Sequence, residues 1–363
     1  MAKRLLAVLI ASSLLLSGCS SMLARDYASV TAHNMAQTAE GDPSVLRADS
    51  YQELVNALLY LVTQGAESGA VRLYLDSDNV SGALEDACQE VQEDPLGAYA
   101  VDYIKYSVGS VVTYYQADVQ ITYRRTREQI ASIVSATGTA AIRSELENAL
   151  DSFAPECVLR ISYFEGDEEY IRSLFQEAYY ATPAAALDMP DISISIYPDS
   201  GRQRIVEILL SYHLDAQELS SRKELLGQQC QALLQTIWPL AGDQRILACA
   251  DAVARLCRYD PSAGSTAYHA LLEGSADSEG MSLAMALLCQ ELGVEFQVVS
   301  GTLEGEPRFW TVVSTQEGWR HLDPSRSAEQ ENPLYSDDQM EAAGYIWDRD
   351  AVPACTAPEQ DAG

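Results

Sequence analysis

Apolar residues recur at helical spacing over 54–62 and over 146–153, and at every second position over several stretches between 71 and 212. The alternation Val119, Ile121, Tyr123 against Asp118, Gln120, Thr122 marks a strand in a sheet with one buried face. Two stretches of roughly ninety residues repeat this alternation of elements. Each opens with one of the helical segments, followed by a short strand, 71–74 in the first stretch and 159–162 in the second. A second helix then ends in Gln89-Glu90 or Gln176-Glu177, with Pro95 or Pro183 closing it. Two alternating strands complete each stretch, 101–108 with 112–123 and 192–197 with 204–212. Arg72 and Arg160 are 88 residues apart, the Gln-Glu pairs 87, the prolines 88, and Tyr123 and Tyr212 89. A near-constant offset across several residue types predicts two α-β-α-β-β units. The many tyrosines on these strands read as cross-strand packing, with a ligand-stacking platform as the alternative. The basic run Tyr123-Arg124-Arg125-Thr126-Arg127 reads as a strand end whose cations offset nearby acids, with an anionic-ligand patch as the alternative.

From Asp243 the pattern changes. Ile246, Cys249, Ala250, Val253 and Cys257 share one side of a helix over 244–257. Ser275-Ala276-Asp277-Ser278-Glu279-Gly280 opens another helix, which buries Met281, Ala284, Met285, Leu288 and Leu292 and ends at Gly293. Strands over 294–299, 308–313 and 319–323 follow. The layers are α+β throughout.

The N-terminus begins Met1-Ala2-Lys3-Arg4, runs apolar over 5–16 and reaches Ser17-Gly18-Cys19. A basic start, a short apolar run and small residues describe a secretory leader over 1–18, because spanning a bilayer takes about 20 apolar residues. Leu16-Ser17-Gly18-Cys19 resembles the bacterial lipobox, which implies that Cys19 is diacylated and becomes the first residue of the mature chain. Two acyl chains suffice for stable anchoring where one does not. Residues 19–49, rich in Ser, Ala, Thr and Asp, read as a flexible tether. The expected location is extracytoplasmic, lipid-anchored to the bacterial cell membrane.

The formal charge is −30, from 53 acidic and 23 basic residues, and loss of Lys3 and Arg4 with the leader takes it to about −32. Such a chain repels a phosphate backbone, which excludes nucleic acid as a partner, and it repels anionic headgroups, so the anchor must supply membrane affinity. Cysteines 88, 157, 230, 249, 257, 289 and 355 lack metal-ligand spacing and make no disulfide scaffold. No metal and no cofactor is assigned.

Ser278-Glu279-Gly280 at a helix start, Arg308-Phe309-Trp310-Thr311 on one strand and His321-Leu322-Asp323-Pro324 on the next resemble the transglutaminase-like, papain-related fold of bacterial exported proteins. The segment over 334–355, with Gly344-Tyr345 and Trp347-Asp348, also resembles family members. The resemblance covers about 110 residues, with order, spacing and element type in agreement. It implies a triad of cysteine, histidine and aspartate at the positions of Ser278, Arg308 and Asp323, with Trp310, His321, Glu279 and Gly280 around it. Only the aspartate matches. Serine can act as a nucleophile when a base takes its proton, but a guanidinium stays protonated and cannot be that base. His269 and His321 are the substitutes to consider. Ser278 is also a good helix N-cap, with Asp277 beside it favoured by the helix dipole.

The expected architecture is therefore a leader (1–18), a tether (19–49), two repeat units (50–130 and 142–225), a transglutaminase-like domain (240–350) and a disordered tail (351–363). The expected function is non-catalytic binding of a peptide, glycan or protein partner at the cell envelope. The alternatives are a Ser278-dependent hydrolase or acyl transferase, and a purely structural envelope component. With the histidine replaced, Arg308 should reach Asp323 and form a salt bridge.

Overall fold

The computed structural model describes residues 36–356, apart from 41, 76–78 and 327–333. The leader, Cys19, most of the tether and the last residues of the tail lie outside the described residues. The chain divides into two compact units, 1–132 and 133–363.

The first unit holds a five-stranded sheet of order β1-β2-β3-β5-β4, formed by Gln37–Ala39 (β1), Asp42–Ala48 (β2), Ser68–Leu73 (β3), Val101–Val111 (β4) and Tyr114–Tyr123 (β5). The end of the expected tether is thus ordered: β2 pairs in parallel with β3, matching Val45 with Ala70 and Ala48 with Leu73, and Leu46 and Ala48 enter the core. Two buried side chains at alternate positions are enough to make this otherwise polar segment a strand. Helix α1 (Tyr51–Thr63) starts at Ser50, whose hydroxyl accepts from the Glu53 amide, and buries Leu54, Leu58, Leu61 and Val62. Helix α2 (Val80–Glu93) buries Leu84, Cys88 and Val91. Pro95 does more than close α2. It occupies the first turn of a further short helix, α3 (Pro95–Ala100), capped by the Asp94 carboxylate, where its fixed φ and missing N–H cost nothing. Helix α4 (Arg127–Ala131) ends the unit with a capping box between Thr126 and Gln129.

The second unit begins with a four-stranded sheet of order β6-β7-β9-β8, from Val134–Ala136 (β6), Glu156–Ile161 (β7), Asp191–Tyr197 (β8) and Arg204–Ser211 (β9). Helices α5 (Thr139–Asp151) and α6 (Glu168–Ala181) flank its strands in sequence. This strand order is the one that β2, β3, β5 and β4 adopt. The register agrees as well, because Arg47 faces Arg72 in the first sheet and Ser135 faces Arg160 in the second, each pair 88 residues after its counterpart.

Helix α7 (Ala216–Ile237) runs through the boundary expected between 225 and 240. It leads into α8 (Gln244–Leu256), β10 (Arg258–Gly264), a single π-helical turn at His269–Glu273, β11 (Ser275–Ala276) and α9 (Ser278–Leu292). A second four-stranded sheet follows, of order β14-β13-β12-β15, from Phe296–Leu303 (β12), Glu306–Thr315 (β13), Gly318–Leu322 (β14) and Tyr345–Ile346 (β15), with α10 (Asp337–Ala342) before its last strand. One continuous core joins the two halves of this unit, taking in Ile142, Leu174 and Ile208 together with Val253, Met285 and Leu288. The second repeat-like segment and the domain after it therefore do not have separate cores. Helix α9 lies deepest, with every residue from Gly280 to Cys289 buried, as expected of a helix apolar on all sides. The start of the expected tail is also packed, since Cys355 is fully buried beside Met340 and Tyr345. Among the described residues no helix is long and apolar enough to cross a membrane.

Candidate functional site

The start of α9 is set by Asp277. Its carboxylate accepts the Gly280 amide at 2.9 Å and the Ser265 hydroxyl at 2.5 Å, making it the N-cap. Ser278 is therefore not the cap that the sequence suggested. It is the first helical residue, and its hydroxyl points to β13, where it accepts the Phe309 amide at 3.1 Å. An aspartate competes well for the cap because its charge also meets the positive end of the helix. Gly280 is required by close approach: a Cβ there would lie 2.9 Å from both the amide nitrogen and the carbonyl oxygen of Thr266.

Arg308 and Asp323 meet as the resemblance implied. Arg308 Nε donates to Asp323 Oδ2 at 2.9 Å, with both side chains under a tenth exposed. The Arg308 Nη2 also donates to the Ser325 hydroxyl, and its guanidinium carbon lies 4.5 Å above the Tyr259 ring. Burial opposes the charge on Arg308, but the charge of Asp323 and its hydrogen bond outweigh burial, so the guanidinium is held even more firmly protonated than usual. Asp323 also accepts the Tyr345 hydroxyl at 2.7 Å, the Ser325 amide at 2.9 Å and the Ser325 hydroxyl. The carboxylate is thus the hub of a buried network that ties the chain after β14 to β13 and β15.

Trp310 is fully buried, with its ring edge-on to Tyr345 at 5.2 Å and to Trp347 at 5.9 Å. Its indole N–H donates to His321 Nδ1 at 2.9 Å. An indole can only donate, so that imidazole nitrogen carries a lone pair and the proton sits on Nε2, which donates to Asp337 Oδ1 at 2.8 Å. Burial, ahead of the opposing pull of Asp337, lowers the pKa of His321 and keeps it neutral. Both nitrogens are engaged away from Ser278, so His321 is a structural residue here.

His321, Asp337 and Cys355 bring one possible ligand atom each within 4.8 Å of one another. Their chemistry does not suit a cation. Coordination through Nε2 would displace its proton and strand the Asp337 hydrogen bond. Burial pushes the Cys355 thiol up to about 12, so its sulfur carries a proton in this arrangement. Asp337 Oδ2 is already occupied by the Cys355 amide at 3.1 Å.

Glu279 leaves α9 on another side. Its carboxyl accepts the Tyr180 hydroxyl of α6 at 2.9 Å, and burial pushes its pKa up from 4.5 to about 7. The Tyr180 ring also rests against Phe309, centroids 5.9 Å apart. The Thr266 hydroxyl meets His269 Nδ1 at 2.6 Å. Glu279, Thr266, His269 and Tyr180 all border a cavity of about 570 Å³.

Of the residues singled out in the sequence, Arg308 meets Asp323 and Trp310 meets His321, whereas Ser278 accepts the Phe309 amide and Glu279 faces the Tyr180 hydroxyl. Sequence reasoning missed the roles of Tyr259, Ser325, Tyr180 and Asp337. Tyr345 carried a family signal through the Gly344-Tyr345 pair, but nothing in the sequence joined Tyr180 to a helix a hundred residues away.

A model of the transglutaminase-like superfamily matches residues 231–324, a span that holds Ser278, Arg308 and Asp323. One solved structure, described as the crystal structure of a TGase, is 12% identical, covers 66% of this chain and 68% of its own, and superposes with a TM-score of 0.28, too low to carry an argument. A comparison with curated proteins finds no match. From the helix start, the two strands and the family match together, the chain carries a transglutaminase-like domain.

Proposed function

We propose that this chain is a lipid-anchored, extracytoplasmic protein whose transglutaminase-like domain binds a peptide, glycan or protein partner without acyl-transfer chemistry. The observation that carries the reading is Arg308, a permanent cation at the position of the family's base, bound to Asp323 at 2.9 Å. Ser278 supports it, since its hydroxyl accepts the Phe309 amide and donates to no base among the described residues. A thiol with a lowered pKa would serve the family reaction, and a serine hydroxyl without a general base offers no equivalent. Catalysis by a Ser278-dependent hydrolase would need a base; both His321 nitrogens are engaged by Trp310 and Asp337, and His269, held by Thr266, borders the cavity beside Glu279, whose lining does not include Ser278. A purely structural role is disfavoured by the open cavity beside Glu279, which combines an apolar lining with several hydrogen-bonding groups.

The test of the catalytic reading is an amine-incorporation assay with peptide and ester hydrolysis run alongside. The expected result is no turnover above buffer, and turnover that disappears in Ser278→Ala would overturn the proposal. The anchor rests on Leu16-Ser17-Gly18-Cys19. Metabolic labelling with a clickable fatty acid should mark the wild type and leave Cys19→Ala dark, and equal labelling of both would remove the anchor.

A further inference from the structure

The cavity beside Glu279 is bounded by α6, the segment 187–189, the chain at 213–214, the start of α7 and the residues 265–269. Its volume, about 570 Å³, falls within the roughly 300–1,000 Å³ typical of small-molecule sites. Its charges are compensated within the protein. Asp188 accepts His213 Nδ1 at 2.9 Å and the Leu214 amide at 3.0 Å. Arg222 is paired with Glu218 at 2.6 Å, and its guanidinium lies 4.9 Å over the Tyr268 ring. Glu279 accepts the Tyr180 hydroxyl at 2.9 Å, and burial raises its pKa from 4.5 to about 7, so much of its charge is suppressed near neutrality. An ion entering this space would lose its hydration shell without gaining a free counter-charge, which is unfavourable. The remaining polar groups are the Tyr180 and Thr266 hydroxyls, the His269 imidazole and the second Glu279 oxygen. Most of these both donate and accept, the property that sugar hydroxyls also have. Leu187, Met189 and Leu214 add an apolar patch, suited to the C–H face of a pyranose ring.

We infer that this cavity binds a neutral carbohydrate, with Glu279, Thr266 and His269 reading its hydroxyls. The inference rests on the proposed non-catalytic binding role and names the ligand class for it. It assigns nothing to the line of Ser278, Arg308 and Asp323, so the two readings fail separately.

The experiment is isothermal titration of the full mature chain with cello-, malto-, manno- and chito-oligosaccharides, and with cadaverine as a cationic probe. Saturable binding of at least one neutral series is expected, and no saturable binding of cadaverine. Glu279→Gln keeps a neutral hydrogen-bonding group and should bind within about threefold of wild type, whereas Glu279→Ala should bind at least tenfold more weakly. Met189 is 38% exposed, so Met189→Trp can fill the cavity mouth without disturbing the core, and it should abolish binding at unchanged melting temperature. Absence of binding by all four series overturns the carbohydrate assignment, as does saturable cadaverine binding that Glu279→Gln removes. Saccharide binding untouched by Met189→Trp moves the ligand out of this cavity and equally overturns it. None of these outcomes bears on acyl transfer, which the turnover assay decides alone.

Discussion

Replacing Arg308 with alanine tests whether the basic residue at the family's base position is structural. The mutation removes a cation from a pair whose side chains are 8% and 4% exposed. What remains is a buried carboxylate. Breaking a buried pair from one side costs about 3–5 kcal/mol, because the surviving charge is left uncompensated. The lower end applies, since Asp323 would keep the Tyr345 hydroxyl and both donors of Ser325. About 3 kcal/mol corresponds to a fall in melting temperature of roughly 6–12 °C for a unit of this size. The assay is urea denaturation followed by tryptophan fluorescence, which Trp310 and Trp347 report from within the same cluster. The companion Arg308→Met, Asp323→Asn double variant removes both charges while keeping an acceptor for Tyr345 and Ser325, and it should recover more than half of the loss, since no buried charge is left to solvate. A loss below about 1 kcal/mol in Arg308→Ala, or a double variant as unstable as the sum of the two singles, would refute this account of the pair.

Ser278→Ala leaves the Phe309 amide without its acceptor, so it should cost about 1–2 kcal/mol by denaturation and change no turnover. Glu279 gives a pH signature. Its carboxyl titrates near 7 in the fold and near 4.5 when unfolded, so its stabilising contribution is complete below about 4.5 and is lost as pH rises through 7. The shift corresponds to at most about 3 kcal/mol at 1.36 kcal/mol per pH unit, and Glu279→Gln should flatten the difference in midpoint between pH 5.5 and pH 8. Equal pH slopes in the two proteins would contradict the burial of that carboxyl. Trp310→Phe removes the donor to His321 Nδ1 and should cost about 1–3 kcal/mol beyond the lost packing. His321→Phe in the Trp310→Phe background should then cost less than it does alone, and strict additivity would break the link between the two rings.

The strands of the first two thirds were legible because alternation reports which face is buried, and the two sheets share one strand order with matched positions 88 residues apart. The ends of the chain were misread for the same physical reason. Asp42–Ala48 contains only a few apolar residues and no helix period, so nothing local announces that β3 offers it a parallel edge. Cys355 looks like part of a polar tail until Met340 and Tyr345 close over it. The boundary expected near 225–240 failed because Leu226, Cys230, Leu234 and Ile237 continue one helical stripe into the shared core. Their spacing was visible in the sequence, but the resemblance to a separate domain drew the division through them.

At the site, residue types told more than residue roles. Ser278 was equally readable as a cap or a nucleophile, and only Asp277, one residue earlier, decides that it is neither cap nor free hydroxyl. The retained Asp323 needs no catalytic explanation. In an active family member an aspartate would orient an imidazole. Here the same carboxylate collects a guanidinium, a tyrosine hydroxyl and two donors from Ser325. A carboxylate with that many donors is expensive to remove whatever it once did. Arg308 gives this buried carboxylate both charge balance and a directed N–H. On the proposed reading, in which Arg308 stands at the position of the family's base, the same guanidinium cannot take a proton. One residue would then account for both the stability of the site and its proposed silence.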